Sequence, residues 1–211
     1  MDVHRHSEPG GHRVNEDAIA VVPHPGRTDT LICALADGQG GQSGGARAAQ
    51  VAVETCLEQA RQCSPAKLLS PFTWQAIGPE VDQSVMRDPE AGFTTFVGLA
   101  VGPGFVVGAS CGDSAGVLLL GEKFVQLTGG QQKNPPIGSG TAYSSPFSAR
   151  LDGPFKLLLM SDGVWKFTSW EQIAELCRRE SGQELITAIR TATQKLDGRL
   201  MDDFSVILVE G

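Results

Sequence analysis

The chain has 211 residues, 41% of them hydrophobic and 19% charged, and its formal net charge is −7. This composition predicts a single domain with a sizeable core and argues against a nucleic-acid-binding surface, which needs an excess of Lys and Arg. Five Cys residues without a C-x-x-C pair argue against a disulfide framework and a zinc site, and they favour a reducing cytoplasm.

The first half of the chain predicts strands followed by two helices. Residues 1–36 are typical of strands, with DAIAVV and TLICALA separated by the turn-rich PHPGRTD. Ser43 is expected to cap a helix that runs to about Gln62, and a second helix is expected from Phe72 to Met86.

The second half predicts strands, two more helices and a last strand. FTTFVGLAV, FVVGAS, AGVLLL and KFVQLT are expected to form a meander, and residues 129–154 are expected to be a loop. The strand FKLLLM, the helices SWEQIAELCRRE and GQELITAIRTATQKL, and the strand FSVILVE follow. Strands and helices grouped in separate blocks indicate an α+β fold with antiparallel sheets.

Two features of the termini and apolar runs argue against secretion and membrane insertion. The amino-terminal residues are polar from the second position, so no signal peptide is expected. The longest apolar region, FVGLAVGPGFVVGASC, is interrupted by Gly102, Pro103 and Gly104, so no membrane span is expected.

The Gly-rich stretch after TLICALA raises the question of a phosphate-binding loop. GQGGQSGG contains a G-x-G spacing, but no second strand ending in an acid follows its helix. A P-loop requires Lys after its glycines, and this stretch contains none. Both nucleotide interpretations are therefore disfavoured.

Acidic residues lie at five predicted strand ends, in NED, ADG, GDS, SDG and MDD. A single Asp in such a place is most simply a turn former or a cap. Five of them beside apolar strands can converge at one edge of a sandwich, where clustered carboxylates need cations to neutralise them. Oxygen ligands without a matching His or Cys set favour Mg²⁺ or Mn²⁺.

Six motifs follow one another over nearly the whole chain: RVNEDA, ADGQGGQSGGARAA, FTTFVGLAV, GASCGDSAGVLLL, LLLMSDGVW and MDDFSVILV. In this order they resemble the motifs of the metal-dependent type 2C serine/threonine protein phosphatases (the PPM family). A motif such as SDG is nonspecific alone, whereas the ordered set is highly specific. Residues 1–211 are accordingly expected to be one catalytic domain of minimal bacterial type.

The resemblance implies a central sandwich of two antiparallel β-sheets flanked by helix pairs, in four αββα layers. It also implies two Mn²⁺ or Mg²⁺ ions at one end, with Asp37 bridging both. Asp162 and Asp202 would complete the ligands of one ion. The family pattern after the Asp202 position has Asn, which Asp203 replaces here.

The second ion would be served by the Gly38 carbonyl and by waters that Glu16 and Asp17 hold. A hydroxide shared by the two ions would attack the phosphorus of phosphoserine or phosphothreonine in line. No covalent phosphoenzyme is needed, and the sequence accordingly contains neither a C-x5-R loop nor a D-x-D-x-[TV] motif.

The chain departs from the family pattern at the predicted phosphate-binding Arg. That position is His12, and Arg13 is displaced by one residue. Neighbours on a regular strand point to opposite faces, so His12 would share the face of Glu16 unless a bulge re-aims Arg13. One of the two is expected to bind the substrate phosphate; the alternative is a solvated amino-terminal charge.

A second departure concerns a third metal, which many members bind with the GDS acid and an acid four residues after the SDG aspartate. Asp113 is present, but the other position is Lys166. The ammonium is expected to disfavour a third cation and to pair with Asp113. The alternative is that Asp113 caps its turn and Lys166 points to water.

Two further positions differ, and the flap is short. Ala115 follows GDS where Arg is common, and Phe93 precedes the paired threonines where Gly is common. The segment between LTGG and SDG is short, which predicts a reduced flap and an open site.

Two functions are expected to compete. The leading one is a phosphatase acting on a phosphorylated protein, such as the target of a serine/threonine kinase or a regulator. The other is a catalytically weak or inactive binding module on the same scaffold. The chain is expected to be a cytoplasmic monomer.

Overall fold

The computed structural model describes residues 1–11, 13–39 and 44–211, and within these residues the chain forms ten strands and six helices. The strands are β1 (Asp2–Glu8), β2 (Asp17–His24), β3 (Arg27–Asp37), β4 (Phe96–Gly102), β5 (Phe105–Cys111), β6 (Ala115–Leu120), β7 (Lys123–Gln126), β8 (Ser145–Arg150), β9 (Phe155–Met160) and β10 (Phe204–Glu210). The helices are α1 (Gly45–Gln62), α2 (Pro65–Leu68), α3 (Pro71–Arg87), α4 (Asp162–Trp165), α5 (Trp170–Arg179) and α6 (Gly182–Thr193).

The strands form two antiparallel five-stranded sheets, which we call the first and the second sheet. The first has the order β1-β10-β9-β6-β7, and the second has the order β2-β3-β4-β5-β8. Strand β4, at the centre of the second sheet, is buried along its whole length. The expected α+β sandwich is thereby confirmed.

Three apolar cores separate four layers. The core between the sheets contains Leu35, Leu99 and Ile207. Helices α1 and α3 pack on the second sheet around Trp74 and Phe96, and the core between the first sheet and helices α4 to α6 contains Phe204. The helices thus cover the outer faces of both sheets and leave the strand ends free to carry a site.

The predicted meander is wrong, because β5 and β6 lie in different sheets. Strand β5 already pairs with β4 on one side and β8 on the other, so no edge remains for β6. The chain crosses to the first sheet at Gly112, whose φ of 111° suits glycine. This crossover places the GDS turn between the sheets.

The prediction of a loop over residues 129–154 is wrong for its last part, which contains β8. This is an edge strand in which only Phe147 is buried, and it carries Pro146. A polar strand with an internal Pro lacks the apolar alternation that predicts strands, and edge positions tolerate both features.

The expected flap is represented by residues 127–144, all of which the structure describes. They contain no helix, and their one strand-like feature is the bridge between Ile137 and Thr94. Helix α1 begins at Gly45, while the predicted cap Ser43 lies outside the described residues. Within the described residues, none of the helices has the length and apolar character needed to cross a membrane.

Candidate metal and phosphate site

Strand ends from both sheets meet at one end of the sandwich. Asp17 begins β2 and Asp37 ends β3 in the second sheet, while Asp113 precedes β6 and Asp162 follows β9 in the first. Asp37, Asp113 and Asp162 line a cavity of about 420 Å³, which we call the central cavity. It is lined by acidic and neutral residues and one Lys: Glu16, Asp37, Gly38, Gln39, Thr94, Thr95, Gly112, Asp113, Lys133, Asn134, Pro136, Asp162, Asp202 and Asp203.

Asp17 and Asp37 are direct cross-strand partners in the β2–β3 register. Residues directly opposite in an antiparallel pair lie on the same face, and like charges there repel. Both carboxylate oxygens of Asp17 are buried without a hydrogen-bond partner. This pair of acids is therefore destabilising by itself and suits a cation between the two groups.

The pKa values of these acids reflect their burial. Burial raises the pKa of Asp37 to about 9, and the charges of Asp17 and Asp162 add to the rise. Burial also raises the pKa of Asp17 to about 7; the nearby Ser205 and Ser161 hydroxyls oppose that rise, although neither makes a hydrogen bond to Asp17 in the structure. A divalent ion would favour the ionised form of both groups.

Asp162 and Asp113 are paired with lysines. Lys166 Nζ donates to Asp162 and lies 3.5 Å from Asp113 Oδ2. Lys133 Nζ donates to the same Asp113 oxygen at 2.5 Å. Burial raises the pKa of Asp162, and the hydrogen bond from Lys166 opposes that rise. The structure thus brings Asp113 and Lys166 together, while third-metal binding stays a prediction.

Asp202 and Asp203 differ in role. Asp202 lines the central cavity, and its Oδ1 accepts the Asp203 backbone N–H at 3.0 Å. The Asp203 carboxylate accepts the backbone N–H groups of Gly10 at 2.9 Å and Glu16 at 2.6 Å. Asp203 therefore ties the segment that carries Glu16 and Asp17 to the start of β10.

The paired threonines hold Asp37 in place. Thr95 Oγ1 accepts the Asp37 backbone N–H at 2.9 Å and lies 2.7 Å from the Ser114 hydroxyl. Thr94 Oγ1 donates to the Asp37 carbonyl oxygen at 2.8 Å. This network links the ADG turn to the GDS turn across the two sheets. Trp165 Nε1 holds the latter turn from the other side by donating to the Asp113 carbonyl oxygen at 2.9 Å.

Gly38 lies where no side chain fits. A Cβ at this position would overlap the Gly45 carbonyl oxygen and approach the Glu16 carbonyl oxygen to 2.7 Å. The Gly38 N–H donates to that same Glu16 oxygen at 3.1 Å. Glycine here allows β3 to end against the NED segment, so that the proposed ligands of both segments share one cavity.

The donor set fits hard divalent cations. In the described part of the chain, no three His, Cys, Asp or Glu side chains form a ready-made ligand cluster. The carboxylates instead line an open cavity, with Lys166 and Lys133 on two of them. The buried, unpartnered oxygens of Asp17 and the six carboxylate residues that line the cavity nevertheless suit Mg²⁺ or Mn²⁺.

The geometry does not decide which of the two predicted residues, Arg13 or His12, binds the substrate phosphate. Arg13 is exposed and is not among the described residues that line the central cavity. His12 lies outside the described residues. The choice between them stays a prediction.

A family model for protein phosphatase 2C matches residues 6–197. The chain belongs to the protein phosphatase 2C family. Its class of enzyme is therefore that of the protein-serine/threonine phosphatases. A search of curated protein sequences gave no significant match.

Solved protein phosphatase 2C structures share the fold of this chain. A bacterial serine phosphatase has a TM-score of 0.81 at 20% identity, covering 100% of this chain and 97% of its own. The serine/threonine phosphatase Stp1 from Staphylococcus aureus has a TM-score of 0.78 at 22% identity, covering 100% and 96%. The catalytic domain of the phosphatase PstP, solved with two manganese ions, has a TM-score of 0.75 at 20% identity, covering 98% and 96%.

Sequence reasoning missed several residues that build this protein phosphatase 2C site. It gave no role to the two threonines, to Ser114 or to Lys133. It treated Asp203 only as a replacement of Asn. Thr94 and Thr95 lie in the FTTFVGLAV motif, so the sequence could have indicated a role for them. Lys133 lies in a segment that was predicted only as a loop and that carries no recognised motif.

Proposed function

We propose that this chain is a Mn²⁺- or Mg²⁺-dependent phosphatase that hydrolyses phosphoserine and phosphothreonine in proteins. One observation carries the proposal: Asp17 and Asp37 face each other across β2 and β3, and Asp37 lines the central cavity together with five further carboxylate residues. Such an arrangement is costly to keep unless cations neutralise it. The family match supports the same conclusion.

The chain's own residues would divide the work of holding two ions. Asp37 would contact both, and Asp162 and Asp202 would hold one of them. The Gly38 carbonyl would serve the other, with Glu16 and Asp17 holding water molecules around it. When bound, two divalent cations lower the pKa of a water molecule and offset the charge of a phosphoryl group.

The remaining site residues would position these groups. Thr94 and Thr95 hold the Asp37 backbone, and Asp203 holds the segment that ends at Asp17. Arg13 or His12 would bind the phosphoryl oxygens of the substrate. The ammonium of Lys166 lies 3.5 Å from Asp113 Oδ2, which disfavours a third cation on that carboxylate.

The substrate would be a phosphorylated protein, such as the target of a serine/threonine kinase. We also propose that residues 1–211 form one catalytic domain that acts as a monomer in the cytoplasm. All five Cys residues are free, which suits a reducing compartment. The short, helix-free segment 127–144 leaves the central cavity accessible to a protein segment.

The test is hydrolysis of an aryl phosphate and of a phosphothreonine peptide, with Mn²⁺ and with a chelator. We expect turnover with the metal and its loss in Asp37→Asn and Asp162→Asn. Asp152→Asn is the matched control, because Asp152 is exposed and pairs with Arg150. Absence of turnover in the wild-type protein despite bound Mn²⁺ would overturn the proposal and favour a binding module.

A further inference from the structure

We propose that Lys133 binds the phosphate of the substrate, after exchanging its carboxylate partner with Lys166. This inference rests on the proposed function and names a residue that provides positive charge at the site. Among the described residues that line the central cavity, Lys133 is the one cationic side chain, against six carboxylate residues. A phosphate monoester entering this cavity meets no other ammonium or guanidinium of that lining.

The base of Lys133 is anchored beside the site. The carbonyl oxygen of Gln132 accepts the Gly112 N–H at 2.9 Å, and Gln131 Nε2 donates to the Ser114 carbonyl oxygen at 2.7 Å. The segment before Lys133 is thus fastened to the turn that carries Asp113. Its side chain is 64% exposed and belongs to the lining of the central cavity.

Lys133 and Lys166 share Asp113 unequally. Lys133 Nζ is 2.5 Å from Asp113 Oδ2, and Lys166 Nζ is 3.5 Å from the same oxygen while it donates to Asp162. Lys166 follows the short helix α4, lies 5.9 Å from the Trp165 ring centroid and is 38% exposed. Lys166 is therefore the confined ammonium, and Lys133 is the one free to turn.

Binding of metal ions to the site would change the carboxylate with which each lysine pairs. Asp162 is a proposed ligand, and a metal ion on its carboxylate would displace the ammonium of Lys166. The nearest other carboxylate for Lys166 is that of Asp113, 3.5 Å away. Lys166 would then neutralise Asp113, and Lys133 would be released toward the phosphoryl oxygens of the substrate.

The exchange accounts for the charge of both lysines. In the structure, Lys133 and Lys166 offset Asp113 and Asp162 one to one. Once Asp162 binds metal, a single carboxylate remains for two ammonium groups. The surplus positive charge would then lie on Lys133 in the lining of the central cavity, where it would attract a dianionic phosphate.

The test measures binding of inorganic phosphate to the Mn²⁺-loaded protein. Phosphate is titrated as an inhibitor of aryl phosphate hydrolysis, and independently as a ligand that raises the melting temperature. For Lys133→Ala we expect about a tenfold weaker inhibition constant, equivalent to about 1.4 kcal/mol, and a smaller thermal shift. Lys133→Arg should keep most of the binding. Lys123→Ala, an exposed Lys on β7, should match the wild type.

A second arm tests the exchange itself. Lys166→Ala should weaken phosphate binding to the Mn²⁺-loaded protein in the wild-type background, because Asp113 then keeps Lys133 as its partner. The same change in the Lys133→Ala background should have a smaller effect, since the two residues are coupled. Equal effects in both backgrounds would refute the exchange.

The outcomes separate this inference from the proposed function. Metal-dependent turnover with an unchanged phosphate constant in Lys133→Ala would overturn the role of Lys133 and leave the phosphatase intact. A wild-type protein without turnover would overturn the phosphatase. In that case the rise in melting temperature on adding phosphate still tests the role of Lys133. A rise that occurs in the wild type and is lost in Lys133→Ala supports the inference, and the absence of a rise in the wild type refutes it.

Discussion

Replacing Asp203 by Asn restores the residue typical of the family motif, yet we expect it to destabilise this protein. The Asp203 side chain accepts two backbone N–H groups, from Gly10 at 2.9 Å and Glu16 at 2.6 Å, and the residue is 6% exposed. An Asn side chain has one acceptor oxygen and turns its NH₂ group toward the other N–H. One charge-assisted bond is lost and a buried donor is left unpaired, at a cost of about 2–3 kcal/mol.

The assay for Asp203→Asn is thermal unfolding of the metal-free protein. For a chain of this length, about 1 kcal/mol shifts the melting temperature by about 2–4 °C, so a fall of about 4–12 °C is expected. Asn also removes the repulsion that Asp203 exerts on Asp17, so the loss should be larger at about pH 5.5 than at about pH 8, since the pKa of Asp17 is about 7. Asp197→Asn, an exposed partner of Arg199, is the control. An unchanged or raised melting temperature in Asp203→Asn would refute the reasoning.

Three further outcomes are expected from the same site. The pKa values of Asp17 and Asp37 in the folded protein are raised to about 7 and about 9, so both carboxyl groups hold protons that the unfolded chain releases near pH 4. The metal-free protein should therefore lose stability as the pH rises from about 4 to about 9. Binding of Mn²⁺ should restore that stability. Melting curves with chelator across that range check this, and a smaller slope is expected in Asp17→Asn; a flat wild-type profile would contradict it. Thr95→Val should lower stability by about 1–2 kcal/mol and weaken Mn²⁺ binding in calorimetry, because the Asp37 N–H loses its acceptor, while Thr95→Ser should retain both. Gly38→Ala should abolish turnover and lower the melting temperature. Gly130→Ala is the control and should change neither, because a Cβ there meets nothing within 4 Å. Equal behaviour of the two variants would argue against the close packing around Gly38.

The sequence by itself determined the fold class and the family. Strands β9 and β10 and helices α5 and α6 follow from apolar patterns that the structure reproduces, because their buried faces dominate the local sequence. The six ordered motifs identified the family, which the family model confirms. These signals are local, since each depends on residues within one element or turn.

The tertiary structure decided what local patterns do not encode. Strands β5 and β6 looked like neighbours, but pairing of β5 with β8 sends β6 to the other sheet. Strand β8 was missed because an edge strand needs little apolar alternation.

Packing likewise decided which residues contact one another within the site. Lys133 meets Asp113, 20 residues earlier, and Asp203 meets the Glu16 N–H, 187 residues earlier. These contacts join segments that are distant along the chain, so they exist only once both sheets have stacked and their strand ends share one edge.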